Sequence, residues 1–228
     1  MGTLIIQRAS VQETIDINPH YLRAKRVVDL LFTLLILLPL CLVIIIISVA
    51  IRLDSAGPVF FRQKRVGFNG NEFTIYKFRS MYANSDNSVH REVIVKYMNG
   101  HKLNENSADE LSYKQVDDPR VTRVGRLLRK TSIDELPQFF NVLRGEMTLV
   151  GPRPPLPYEV EYYRARDWLR LCGKPGLTGT WQVYGRSRVS FQSMVEMDLA
   201  YLKQQSLWQD LKLIALTIPV MIKGSGGA

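Results

Sequence analysis

The chain has 228 residues, 46% hydrophobic and 22% charged, with a formal net charge of +9. That content argues against global disorder and suffices for one domain, or one domain with a membrane element. The cationic surplus favours anionic partners, while two distant cysteines and three scattered histidines argue against a disulfide framework or a histidine-based metal site.

Residues 1–21 have no clear period and read as an N-terminal arm. Between residues 30 and 51 no charged side chain occurs. As a helix, these roughly 22 residues would run about 33 Å, enough to cross a bilayer core. Pro39 sits near the middle, where it removes a helix hydrogen bond and crowds the preceding turn, so a kink or break is expected. Arg23, Lys25 and Arg26 precede the run, and Arg52, Arg62, Lys64 and Arg65 follow it. The positive-inside rule needs an asymmetry and finds almost none here. Two readings stay open on these residues. One is a single kinked crossing helix. The other is a re-entrant helix-break-helix element over residues 22–52, which keeps both ends on one side.

Residues 53–222 form the main domain, and residues 223–228 read as a flexible tail. A strand begins at Val59-Phe60-Phe61, and Phe68-Asn69-Gly70-Asn71 carries the Asn-Gly signal of a hairpin turn. The returning strand, residues 73–79, alternates so that Lys77 and Arg79 share a face. A helix is expected near residues 91–98, then a loop at about 99–118. Arg123, Arg126 and Arg129 recur at helical spacing, as a solvated basic face or as a phosphate-facing patch. Residues 134–145 read as a short helix with Asp134 as N-cap, Pro137 in the first turn and Gly145 as the stop. Pro152-Arg153-Pro154-Pro155 is a rigid corner. A helix is expected at residues 158–171, a turn-rich strand region at 174–188, and two helices at about 190–204 and 207–222. Ser206 and Gln209 are placed for a capping box on the last. That helix either packs on the core or lies at a membrane surface.

Adjacent carboxylates at a helix start are most simply a cap and a dipole partner. The neighbours of Asp134 and Glu135 suggest more. A carboxylate near arginines at a helix N-terminus stays ionised, as a nucleophile must. Two acidic groups together can also hold Mg²⁺ beside substrate phosphates.

Several motifs then occur in order: Lys25-Arg26-Val27-Val28-Asp29-Leu30, the proline-broken apolar run, Gly57-Pro58-Val59-Phe60-Phe61, and Lys77-Phe78-Arg79-Ser80-Met81. They continue with Ser132-Ile133-Asp134-Glu135-Leu136-Pro137-Gln138, Leu149-Val150-Gly151-Pro152-Arg153-Pro154, and Pro175-Gly176-Leu177-Thr178-Gly179-Thr180-Trp181-Gln182-Val183. Over about residues 22–222 the set resembles the bacterial sugar transferase family, the monotopic polyprenyl-phosphate phosphoglycosyl transferases. The resemblance implies an α+β, mostly helical fold. It would have a small β-hairpin, a re-entrant membrane element broken at Pro39, interfacial amphipathic helices and a cytosolic catalytic domain over residues 53–222. It implies transfer of a sugar-1-phosphate from a UDP-sugar to undecaprenyl phosphate at the cytosolic face of a bacterial inner membrane. In that reaction Asp134 attacks the β-phosphate, UMP leaves, and polyprenol phosphate takes the sugar phosphate from Asp134.

The same resemblance makes Asp134 and Glu135 catalytic residues and Mg²⁺ ligands. Lys77, Arg79, Arg129, Arg153, Gln182 and Arg186 are candidates for substrate contact, although Arg79 and Arg126 serve equally well in structural ion pairs. Leu38-Pro39 stands where some relatives have Ser-Pro, so no serine hydroxyl acts there. The segment Trp181-Gln182-Val183-Tyr184-Gly185-Arg186-Ser187 resembles the exopolysaccharide and O-antigen initiators that use glucose or galactose. The rival readings are the same reaction on an N-acetylated aminosugar and a non-catalytic membrane scaffold. Nucleic-acid binding is not expected, since no recognition motif accompanies the charge. A homodimer is one assembly compatible with the sequence.

Overall fold

The computed structural model describes residues 15, 18–83, 88–99, 118–185 and 189–222. Most of the expected arm, most of the loop at 99–118, Arg186 and the tail lie outside the described residues. The described chain is mostly helical, with one antiparallel and one short parallel strand pair.

Helix α1 runs Pro19–Asp54, opened by Asn18, whose Oδ1 accepts from the His20 amide at 2.9 Å, and by Pro19 in its first turn. No single helix among the described residues is long and apolar enough to cross a membrane. The two parts of α1, Pro19–Leu37 and Pro39–Asp54, pass that test together and are bent by 57°. The bend falls at the one proline inside the helix, as the lost hydrogen bond requires.

The packing of α1 is inverted relative to a water-soluble helix. Leu34, Leu35, Leu42, Ile45, Ile46 and Leu53 are exposed, while Lys25, Asp29 and Thr33 are buried. Lys25 Nζ meets Asp210 Oδ2 at 2.6 Å. Asp29 accepts from Thr148 Oγ1 at 2.5 Å and from the Leu149 amide at 3.1 Å. Arg26 donates to the Val142 and Leu143 carbonyls. Lys25, Arg26 and Asp29 thus bind α1 to the rest of the chain, and many of its apolar residues face outward, while Leu40 and Ile51 are buried.

Strands β1 (Phe60–Val66) and β2 (Glu72–Phe78) pair antiparallel from Phe60↔Phe78 to Val66↔Glu72. The expected Asn-Gly turn forms, with Asn69 at φ 57° and Gly70 at φ 79°, inside a loop closed by Gly67 N donating to Asn71 O. Lys77 and Arg79 do not share a destination. The chain turns after β2, and Arg79 is buried against the end of α1, donating to Ser55 O at 2.6 Å and Ala56 O at 2.9 Å. Arg79 is a C-terminal cap of α1.

After α2 (Ser88–Met98) comes α3 (Arg123–Thr131), capped by Thr122 Oγ1 accepting from Gly125 N at 2.9 Å. Gly125 lies against the Ser80 backbone, where a Cβ would collide. Ser132, at φ 56°, ends α3 and opens a 3-10 turn, Ile133–Gln138, that leads into α4 (Phe139–Arg144). Asp134 is therefore not the N-cap expected from the sequence. Ser132 holds that place because its left-handed backbone reverses the chain between two helical segments. Gly145, at φ 78°, stops α4 as expected.

Strand β3 (Thr148–Val150) pairs parallel with β4 (Gly176–Thr178). Between them, the expected helix at 158–171 is broken into α5 (Pro157–Val160) and a 3-10 segment, Asp167–Cys172. Asp167 accepts from the Arg164 amide at 2.9 Å and starts a new turn, which a continuous helix would forbid. The strand region expected over 174–188 is only β4, followed by a π-type turn at Trp181–Gly185. Helices α6 (Phe191–Gln204) and α7 (Leu207–Ile222) match expectation. Ser206 Oγ accepts from Gln209 N at 3.3 Å, one half of the capping box. α7 buries Asp210 and Leu213 and exposes Trp208, Leu211 and Ile218, so it packs on the core and keeps an apolar outer face.

Asp210 accepts from Lys25, from Tyr21 OH at 2.8 Å and from Tyr201 OH at 2.6 Å. Asp210→Ala strands a buried ammonium and is expected to cost about 3–5 kcal/mol. A double change to Lys25→Met and Asp210→Leu is expected to recover most of that loss in a thermal melt in detergent. A single variant that melts like the wild type would contradict this account.

Candidate active site

A cavity of about 360 Å³ opens between the hairpin, the 3-10 turn at Ile133–Gln138, the Pro-Arg-Pro corner and the first half of α1. Its lining is mixed. Asp134, Glu135, Lys77, Arg65, Arg153 and Gln182 form a charged and polar set, and Phe32, Ile36, Leu177, Ile214, Ile218 and Met221 belong to an apolar set. The second set comes from α1, α7 and β4. A single cavity therefore joins a charged floor to an apolar wall built partly by the inverted helix.

The floor depends on local chain reversal. The turn at Ser132 brings Asp134 under β2, where Lys77 Nζ meets Glu135 Oε1 at 2.6 Å. Asp134 is buried, and Glu135 is half-buried. Burial pushes the Asp134 carboxyl up to about 6, with the Glu135 charge adding to the effect and Lys77 and Arg129 opposing it. Burial also raises Glu135, but Lys77, Arg153 and Arg65 outweigh it and hold that carboxyl below its ordinary value. The adjacent carboxylates are thus set apart: Glu135 is firmly ionised, and Asp134 is poised between forms near neutrality.

The Pro-Arg-Pro corner is fixed from three directions. The amides of Gly151 and Gly176 donate to Thr178 O and Pro152 O, continuing the parallel pair. A Cβ on Gly176 would collide with the Gly151 backbone, so the close approach needs glycine there. Arg65 Nη1 donates to Pro154 O at 3.0 Å, and the Val66 amide donates to Pro155 O at 2.9 Å. Arg170, itself buried on Asp198, donates to Arg153 O at 3.3 Å. The Arg153 guanidinium lies 5.5 Å from the Trp181 ring centroid, a cation–π distance. The buried Nε1 of Trp181 has no hydrogen-bond partner among the described residues.

Of the residues singled out in the sequence, Asp134, Glu135, Lys77, Arg153 and Gln182 line the cavity. Arg79 does not, because it caps α1. Arg129 does not line it either, although its charge acts on Asp134. Arg186 lies outside the described residues. Sequence reasoning missed Arg65, which lines the cavity and is buried. Its signal was position: on β1 it faces the same way as Gln63, whose Oε1 accepts from Arg65 Nη2 at 2.7 Å.

Among the described residues no cluster of three or more metal-ligating side chains forms. The two adjacent carboxylates nonetheless suit a hard cation. Their oxygens are the donors Mg²⁺ prefers, and the two carboxyl groups are adjacent in the lining of one cavity. Two protein carboxylates with water and substrate oxygens are a common Mg²⁺ set.

Comparisons with known proteins follow the same lines. Residues 20–224 match the model of the family described as bacterial sugar transferase. The chain is 42% identical over 207 residues to "Galactosyl transferase CpsE" of Streptococcus agalactiae serotype III (strain NEM316), covering 90% of this chain and 44% of that protein. It is 38% identical over 217 residues to "Exopolysaccharide production protein ExoY" of Sinorhizobium fredii (strain NBRC 101917 / NGR234), covering 94% of this chain and 92% of that protein. It is 39% identical over 202 residues to "UDP-glucose:undecaprenyl-phosphate glucose-1-phosphate transferase" of Escherichia coli (strain K12), covering 85% of this chain and 39% of that protein. The chain thus spans less than half of CpsE and of the Escherichia coli protein, and nearly all of ExoY. A match over most of the chain, with relatives near two-fifths identity, means that this protein belongs to the bacterial sugar transferase family.

Proposed function

We propose that the protein transfers a hexose-1-phosphate, glucose or galactose, from a UDP-sugar to undecaprenyl phosphate at the cytosolic face of the bacterial inner membrane. The carrying observation is a single cavity lined both by paired carboxylates with cations and by apolar side chains from α1 and α7. A nucleotide-sugar diphosphate suits the charged groups, and a polyprenyl chain suits the apolar ones. The names of the relatives, among them a galactosyl transferase and a glucose-1-phosphate transferase, support the substrate class and favour a hexose.

In the first step an Asp134 carboxylate oxygen bonds to the β-phosphorus. The bond from that phosphorus to the bridging oxygen breaks, its electron pair stays on the oxygen, and UMP leaves. In the second step a phosphate oxygen of undecaprenyl phosphate bonds to the same phosphorus, and the Asp134–phosphorus bond breaks to restore the carboxylate. Lys77 holds Glu135 and adds positive charge beside the reacting phosphate. Arg153, pinned at its carbonyl and lying over Trp181, is placed to bind the donor. Mg²⁺ held by Asp134 and Glu135 would neutralise diphosphate charge and orient its oxygens.

For the membrane element, the 57° bend at Pro39 and the outward apolar face of α1 support re-entry into one leaflet over residues 22–52. The apolar outer face of α7 and the exposed Arg123, Arg126 and Leu127 of α3 suit the interface. Residues 53–222 are then the cytosolic catalytic domain.

Asp134→Asn is expected to abolish UMP release while keeping the fold; full activity in that variant would sink the nucleophile assignment. The sign of its stability effect follows from the raised carboxyl, about 6 against an ordinary 3.8. Below pH 4 the group is protonated in both folded and unfolded chains and costs nothing. The cost of ionising it in place grows between pH 4 and 6 and is complete above. At pH 8, without metal or substrate, Asp134→Asn is therefore expected to be more stable than wild type by on the order of 1–3 kcal/mol. The difference disappears at pH 4, and Mg²⁺ raises the melting temperature of the wild type more than that of the variant. UMP release measured across UDP-sugars with undecaprenyl phosphate present should favour UDP-glucose or UDP-galactose. Turnover of UDP-N-acetylhexosamines alone would overturn the hexose assignment. Finally, Arg23→Cys and Lys64→Cys, each in a Cys41→Ser background, should react with an impermeant thiol reagent from the same side of the membrane. Labelling from opposite sides would establish a crossing helix.

A further inference from the structure

Arg65 is a buried cation without a buried counter-charge. Its side chain sits in the wall of the cavity, and the residue is 5% exposed. Its guanidinium donates to Gln63 Oε1 through Nε at 3.2 Å and Nη2 at 2.7 Å, and to Pro154 O through Nη1 at 3.0 Å. Both acceptors are neutral. The carboxylates whose charge reaches it are committed elsewhere: Glu159 accepts from the Leu156 amide and Glu135 from Lys77. Burial first, and then the charge of Arg153, lowers the guanidinium to about 10, so it remains a cation at neutral pH. Burying a charge is costly unless an opposite charge meets it, and two guanidiniums facing one cavity raise that cost. Gln63 and Pro154 use three of the five N–H groups, which leaves donors for an anion in the cavity.

The placement of the cations says which anion. Lys77 is paired with Glu135, next to Asp134, whereas Arg65 bonds to Pro154 O, the residue after Arg153 in the corner. Lys77 therefore stands by the attacking carboxylate, and Arg65 and Arg153 form a second group at the corner, in the lining of the same cavity. A diphosphate whose β-phosphorus faces Asp134 puts its other phosphate by the second group. We propose that Arg65, together with Arg153, binds the phosphate that departs with the nucleoside, the α-phosphate of the sugar donor. This inference rests on the phosphoglycosyl transfer reading above. When the bridging bond breaks, the electron pair remains on the α-phosphate, which changes from a diester-like monoanion to a monoester dianion. The fork of Arg65 meets that added charge, and its own lack of a carboxylate partner is relieved only while the phosphate is present.

The test uses the full chain in detergent or nanodiscs. Arg65→Gln keeps a donor for the Pro154 carbonyl and removes the charge. It is expected to raise the inhibition constant of UMP by about 10- to 100-fold and to lower kcat/KM for the UDP-sugar similarly. kcat/KM for undecaprenyl phosphate, which reports only the second step, should stay within about twofold of wild type, a change below roughly half a kcal/mol. An unchanged UMP inhibition constant overturns the proposal. So does a parallel loss for both substrates, which would mark Arg65 as a purely structural support of the corner. If Arg65→Gln does not fold, Arg65→Lys carries the same comparison, with about tenfold weaker UMP inhibition expected. A wild-type value there overturns the proposal too. Wild-type protein that releases no UMP from any UDP-sugar would instead remove the transferase reading itself.

Discussion

In the proposed reaction a carboxylate must be ionised to attack phosphorus, and burial of that carboxylate opposes its ionisation. The rest of this structure is arranged around that conflict. Asp134 is buried deeply enough to shift toward neutrality, yet Lys77 and Arg129 act against the shift. Glu135 absorbs Lys77 in a direct ion pair and so stays charged beside it. The result is a pair of adjacent carboxyl groups, one held ionised by cations and the other raised chiefly by burial. In the proposed reaction a phosphate approaching such a centre meets both an obstacle and a set of partners, and a divalent cation held by the two carboxylates would tip the balance.

That cavity would not exist without the inverted packing of α1. Lys25, Asp29 and Arg26 point into the protein and attach to Asp210, Thr148 and the end of α4. Asp29 reaches β3, which leads directly into the Gly-Pro-Arg corner. The same helix contributes Phe32 and Ile36 to the apolar wall. One element therefore sets the position of the corner and lines the route toward it.

Much of this was legible in the sequence because it depends on local chemistry. The Asn69-Gly70 turn, the bend at Pro39 and the stop at Gly145 follow from residues with restricted or permissive backbones. Asp134, Glu135, Lys77 and Arg153 were recognisable from their ordered motifs. What escaped depends on distant partners. Asp134 lost the capping position because Ser132 takes a left-handed backbone between two helical segments. Arg79 left the face of Lys77 because the open carbonyls at the end of α1 claim it. The helix expected at 158–171 broke because Asp167 bonds back to the Arg164 amide. Arg65 looked like one basic residue among many flanking the apolar run. Its character comes from lacking a carboxylate partner, a property that no window of sequence displays.

The capping of α1 by Arg79 also has a bearing on how the protein is made. Arg79 Nη2 donates to Ser55 O across 24 residues of chain. When the apolar helix leaves the ribosome, the Ser55 and Ala56 carbonyls just past its end lack their Arg79 partner until the hairpin has followed and folded back. In the proposed re-entrant arrangement the nascent helix leaves that end in water, at the bilayer surface, while synthesis continues. Docking of the hairpin then closes the helix end and, by the same motion, carries Lys77 toward the place where Glu135 will arrive.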